Sequence, residues 1–159
     1  MLRLSKKADY ALIAMRHLAS GETGSSASAR EMAESYAIPP ELLAKVLQRL
    51  VRAGLLVSVQ GTRGGYKLVR DAHRMTVADV IQAIDGPVAV TACSPSDHAC
   101  DQYERCEIRD PLWKIKTRIV DALATVSLAE LAEPHVPSPS VSAPLVMHAA
   151  PRAQASAEK

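Results

Sequence analysis

All three cysteines of the chain, Cys93, Cys100 and Cys106, fall inside one stretch of 14 residues. The spacing is C-x6-C-x5-C. The stretch is polar, carries the turn formers Ser94, Pro95, Ser96 and Asp97, and shows neither a helical nor a strand period, so it reads as a loop. Three soft thiolates on one loop can converge on a single metal centre. Structural zinc sites favour cysteine pairs two to four residues apart, which these spacings do not provide. A wider wrapping loop suits an iron–sulfur cluster, of the 2Fe-2S or 4Fe-4S type. Three thiolates leave one coordination position for another ligand. His98 and Glu107 are nearby candidates, and a carboxylate from another element or subunit is a third. An odd cysteine count without a signal peptide points to metal or redox chemistry rather than to structural disulfides.

The elements around this loop are legible from caps and periods. The chain has 159 residues, 48% of them apolar, with no Phe. Such a core is built from Leu, Val, Ile and Ala, which suits helices. No apolar run is long enough for a membrane span, and a cytoplasmic protein is expected. Residues 5–20 repeat Ala8, Ala11, Leu12, Met15, Leu18 and Ala19 on one helical face, with Ser5 as cap and Asp9 in the first turns, where a carboxylate complements the helix dipole. Ser28-Ala-Arg-Glu31 is a capping box that opens a short helix over 29–36. Pro39-Pro40 separates it from a helix over 40–53, which Gly54 ends. In that second helix Leu43, Val46, Leu47 and Leu50 face inward, whereas Glu41, Ala44, Lys45, Gln48, Arg49 and Arg52 face outward. A helix pair with a basic outer face is a helix-turn-helix pattern.

Leu55–Val59 and Tyr66–Val69 flank the Gly-rich turn Gln60–Gly65 and predict a β-hairpin, the wing of a winged helix. Arg63 at its tip is placed for a minor groove. A phosphate-binding P-loop is excluded because the G-K-[ST] ending is missing and a strand follows. Residues 1–75 carry 12 Lys and Arg against 6 Asp and Glu, while residues 76–133 carry 5 against 10. Within 38–75 the surplus is +5, the footprint of phosphate contacts. The expected DNA-facing residues are Ser28, Glu41, Lys45, Gln48, Arg49, Arg52, Arg63 and Lys67.

Thr76–Asp79 starts another short helix that Asp85-Gly86-Pro87 ends. After the cysteines, Asp110-Pro111 reads as cap and first turn of a helix to about Glu130. Its stripe Leu112, Ile115, Ile119, Leu123 and Val126 calls for a partner surface, met by a second copy of the chain. The organisation expected is a winged helix-turn-helix over 1–75, the cysteine loop and dimerisation helix over 76–132, and a disordered Pro/Ala/Ser tail over 133–159. The fold class is mainly α with one small β-hairpin. No nucleophile–base constellation marks an enzyme.

These features together resemble the Rrf-two family of winged-helix regulators. The likeness runs from Met1 to about Ala132. It is carried by Leu4-Ser-Lys-Lys-Ala-Asp9-Tyr10, the Leu43–Leu55 helix end, Gly61-x2-Gly64-Gly65-Tyr66, Ile84-Asp85-Gly86, the cysteines and Leu112-Trp113. The opening Met-Leu-Arg-Leu-Ser-Lys is most similar to the branch that regulates SUF-type cluster assembly. The resemblance implies a homodimeric repressor on a double-stranded DNA operator, with one iron–sulfur cluster per subunit on Cys93, Cys100 and Cys106. IscR-like members place a His three residues after the last cysteine; here that residue is Arg109, which cannot ligate. NsrR-like members use an Asp of the first helix, across the dimer, and Asp9 matches that position. Pro39, Pro40 and Ala44 depart from IscR-like recognition helices, so a different operator is expected. Two alternatives stay open. One is a cluster-free thiol or nitric-oxide regulator; the other, of a different class, is an iron–sulfur electron-transfer subunit.

Overall fold

Four of the six α-helices among the described residues start at a hydroxyl cap: Ser5, Ser28, Thr76 and Ser127. The computed structural model describes residues 4–22, 24–61, 64–88 and 103–134. Ser5 accepts a hydrogen bond from the Ala8 N–H and opens α1, Lys6–Ser20. Ala8, Ala11, Ala14, Met15 and Leu18 of α1 are buried at helical spacing. The small side chains of Ala8, Ala11 and Ala14 let three further helices close on α1, since interaxial distance follows the size of the side chains at the contact.

The helix pair follows as expected. Ser28 and Glu31 form a complete capping box at the start of α2, Ala29–Ser35. The turn passes through Ala37 at φ 51, and the Ile38 N–H reaches back to the Ala33 carbonyl at 3.0 Å. Pro40 then occupies the first position of α3, Pro40–Arg52, where its missing N–H costs nothing. Leu43, Val46, Leu47 and Leu50 are buried. Each such side chain contributes about 1.5–3 kcal/mol. Gly54 at φ 73 ends α3. Its N–H bonds to the Val51 carbonyl and the Leu55 N–H to the Leu50 carbonyl, both at 3.0 Å, the paired bonds of a Schellman stop.

The wing is an antiparallel pair, β1 (Leu56–Val59) and β2 (Gly65–Leu68), in the register Leu56↔Leu68 to Val59↔Gly65. Ala27 adds a bridge to Tyr66 on the other side of β2. This close approach explains Gly65, because an added Cβ there would run into the Ala27 carbonyl.

A second capping box, Thr76 with Asp79, opens α4, Val77–Asp85, and Gly86 at φ 83 ends it. The last two helices differ from the sequence expectation. The helix after the cysteines, α5, spans Arg109–Thr125 and has Ile108 as N-cap with no side-chain bond. Asp110 and Pro111 therefore sit inside its first turn rather than at cap and first position. It also stops short of Glu130. Val126 turns extended and Ser127 caps a separate helix, α6, Leu128–Ala132, by accepting from the Glu130 N–H. The break is stabilised by the segment before α4: Val77 N–H bonds to the Val126 carbonyl at 3.0 Å and Leu128 N–H to the Met75 carbonyl at 2.8 Å. Leu128 is thereby fully buried. Arg16 of α1 donates from Nε to the Leu131 carbonyl at 3.1 Å and fastens the far end of α6.

One buried cluster joins α1, α2, α3, β1, α4 and Leu128. α5 contributes no buried residue to it.

Substituting Gly65→Ala should destabilise the fold by about 1–3 kcal/mol, the cost of forcing an extra carbon into a closed contact. Denaturant unfolding checks this, and an unchanged midpoint would contradict the Ala27 contact.

Candidate functional site

With four positions of α3 turned inward, its helical period turns the opposite positions to solvent. Glu41, Lys45, Gln48, Arg49 and Arg52 are all exposed. Lys45, Arg49 and Arg52 stand at i, i+4 and i+7, so their charges share one face. Arg49 and Arg52 lie in the last turn of α3, where cations complement the helix dipole. A helix of 13 residues is about 20 Å long and fits a B-DNA major groove about 12 Å wide. Lys45, Gln48, Arg49, Arg52, Ala53 and Ala83 line an open groove of about 490 Å³ between α3 and α4.

Of the other expected DNA-facing residues, Lys67 and Ser28 are described. Lys67 is half-exposed on β2, paired with Val57 of β1. The Ser28 hydroxyl caps α2, accepting the Glu31 N–H at 3.1 Å. Arg63 at the wing tip lies outside the described residues.

On the sensor side, Cys93, Cys100 and His98 also lie outside the described residues. Cys106 is described. Its thiol is free and half-exposed, and it stands between a single 3-10 turn, Tyr103–Arg105, and the start of α5. Its carbonyl accepts the Arg109 N–H at 3.4 Å. The Arg109 guanidinium pairs through Nε with Asp110 at 2.8 Å. That hydrogen bond, and then the charge behind it, holds the Asp110 carboxyl below the usual carboxylate range. A guanidinium carries no electron pair for a metal. Glu107 is exposed beside Cys106.

Asp9 is exposed in the first turn of α1. The Asp85 carboxylate, at the end of α4, accepts from the Ser5 N–H at 3.1 Å and from the Ser5 hydroxyl. The start of α1 and the end of α4 are thus fastened together. Asp9 stands one turn beyond this junction, and the chain leaves it towards the cysteines. Among the described residues no three His, Cys, Asp or Glu side chains come together around one point. The donor chemistry nevertheless suits a cluster: Cys106 is a half-exposed thiol residue and Asp9 an exposed carboxylate.

Three contacts that tie the site together have no local signal in the sequence. They are Ser5 to Asp85, Arg49 to the Ala83 carbonyl and Arg16 to the Leu131 carbonyl. The apolar side of α5 is the remaining feature. Ile108 and Ile115 are exposed there, and Leu112, Ile119 and Leu123 are only half-covered, while the exposed Trp113 stands off this stripe.

Comparison with known proteins places this arrangement. Residues 4–134 match the Rrf2 family, described as iron-dependent transcriptional regulators. The transcriptional regulator IscR of Xenorhabdus nematophila is 36% identical over 131 residues, which are 82% of this chain and 79% of that protein. CymR, the global cysteine regulator of B. subtilis, superposes with a TM-score of 0.68 at 27% identity, covering 83% of this chain and 97% of CymR. IscR of T. potens superposes with a TM-score of 0.64 at 27% identity, covering 82% and 85% of the two chains.

Proposed function

The chain belongs to the Rrf2 family of winged-helix transcriptional regulators, and from that premise we propose that it is a homodimeric, operator-binding repressor switched by an iron–sulfur cluster. The observation that carries the DNA half is the outer face of α3, where Lys45, Gln48, Arg49 and Arg52 are exposed together over a buried leucine-rich stripe. α3 enters the major groove. Lys45, Arg49 and Arg52 neutralise phosphates, and Gln48 and Glu41 reach base edges. Lys67 and Arg63 extend the contact along the wing, Arg63 into the minor groove. Ser28 presents the start of α2 to the backbone while it caps that helix.

Residues 1–75 then read DNA and residues 76–132 receive the signal, as a division of labour within one shared core. The exposed apolar side of α5 supports pairing with a second copy. Two recognition helices on a common axis match a symmetric operator.

Cys93, Cys100 and Cys106 would hold the cluster, with Asp9 of the other subunit as the fourth ligand. When bound, the cluster supplies a centre whose oxidation state and integrity respond to iron, oxygen or nitric oxide. The chain does the rest. Arg109 closes off the ligand position used by IscR-like proteins by pairing with Asp110. Asp85 and Ser5 hold the end of α4 against the start of α1. Likeness to IscR and the SUF-regulator-like opening residues support control of cluster-assembly genes. A cluster-free thiol switch is the second reading, favoured by the free, half-exposed Cys106 thiol and the likeness to the cysteine regulator CymR.

Two experiments test the proposal. Lys45→Ala and Arg52→Ala should each weaken duplex DNA binding on all sequences and lower the slope of log K against log salt by about 1. Slopes equal to wild type would remove α3 from the interface. After anaerobic purification, Asp9→Ala should retain less iron and sulfide than wild type and His98→Ala should match wild type. The opposite result would reassign the fourth ligand to His98.

A further inference from the structure

Arg49 stands in the DNA-facing stripe, yet its guanidinium is not simply solvated. Its Nε donates to the carbonyl of Ala83 at 3.1 Å. Ala83 lies in the last turn of α4, where carbonyls lack partners within the helix. The Gln82 carbonyl there is taken by the Gly86 N–H at 3.0 Å. Ala83 is one residue further on, and Arg49 meets that carbonyl with a cation that also complements the dipole of α4.

The same turn is held from its other side. Asp85, two residues past Ala83, accepts from both the backbone and the hydroxyl of Ser5. Gly86 at φ 83 then ends α4. The end of α4 is therefore fixed between the cap of α1 and a side chain of the recognition helix.

Arg49 also borders two depressions. One is the basic groove of about 490 Å³ shared with Lys45 and Arg52. The other, about 130 Å³, runs from it past Leu42, Val46 and Ile84 to Lys7 of α1. The guanidinium is a planar fork of five N–H donors, and the bond to Ala83 uses one of them. A fork steadied at one nitrogen presents the others in a fixed direction, the condition for bidentate phosphate recognition.

We propose that Arg49 is the positioning residue that couples the two ends of this regulator. The last turn of α4, the element that precedes the cysteines in the chain, aims the guanidinium that grips the operator phosphate. Movement of that turn re-aims Arg49 and changes DNA affinity without displacing α3. This rests on the DNA-binding reading of α3 given above. A purely structural role would confine the effect of Arg49 to stability; the coupling role makes distant changes at the α4 end felt through Arg49 alone.

The test is a double-mutant cycle on duplex DNA affinity, with the full chain in one fixed loading state. Asp85→Ala, at the junction with Ser5, should weaken DNA binding about threefold or more in the wild-type background. In the Arg49→Ala and Arg49→Lys backgrounds it should have almost no effect, because the coupling partner is gone. Arg49→Lys keeps the charge and loses the fork, so the salt slope should hold while the coupling disappears. If Asp85→Ala does not fold, Ser5→Gly removes the hydroxyl bond of the same junction and keeps the backbone one, as Gly is tolerated at a helix cap. Equal fold-changes for the junction variant in all three Arg49 backgrounds would overturn the proposal. In that case an Arg52→Ala variant that still weakens binding leaves the DNA reading standing. Absence of salt-dependent binding in wild type would sink both.

Discussion

The alanine face of α1 is the constraint on which the rest of the structure depends. Ala8, Ala11 and Ala14 are essentially inaccessible, and α3, α4 and α6 all pack against the helix that carries them. Larger side chains there would hold those helices apart, and close-packed interiors accommodate extra carbons poorly. Because α1 is shared, the recognition helix, the helix before the cysteines and the short final helix cannot be positioned independently. A chain with no Phe fills this core with Leu, Met, Val and Ile, and its largest fully buried side chains come from every layer: Met15, Met32, Leu43, Leu47, Leu50, Leu56, Met75 and Leu128.

Polar contacts at the surface of that core give the packing a direction. Asp85 takes the start of α1, Arg49 takes the end of α4, and Arg16 takes the end of α6. Each uses a backbone group that a helix terminus leaves without a partner. The cation-rich stripe of α3 ends at the same junction. On the proposed reading, an input at the cysteine segment reaches α3 through α4, whose end Arg49 contacts.

Much of the fold was legible because its signals are local. Ser5, Ser28 with Glu31, Thr76 with Asp79, Pro40, Gly54 and Gly86 each mark a helix end within four residues of the groups they serve. The wing and the outward set on α3 followed from periods of 2 and 3.6. The C-terminal helices were read less well. The stripe from Leu112 to Val126 suggested one continuous helix, and its period masked the Ser127–Glu130 cap that separates α6. That cap forms because the chain around Met75 and Val77 supplies backbone partners some fifty positions away. The start of α5 departs from the sequence expectation for the opposite reason: Asp110 pairs with Arg109 instead of capping. Within the candidate site the exposed cations were foreseen, whereas the Arg49–Ala83 and Ser5–Asp85 bonds were not, since they join positions 34 and 80 residues apart. Arg63, Cys93 and Cys100 lie outside the described residues, so their expected roles rest on sequence and resemblance.

The central claim is that the cysteine segment sets the DNA affinity of α3. Its most direct test is the dissociation constant for operator DNA at one fixed salt concentration, measured anaerobically on the cluster-loaded protein and again after cluster removal. Coupling between distinct sites of this kind is typically 1–3 kcal/mol, so the account predicts a difference of about 5–150-fold, absent in a Cys93, Cys100, Cys106 triple alanine variant. Identical constants in the two states, or the same response in the triple variant, would contradict it.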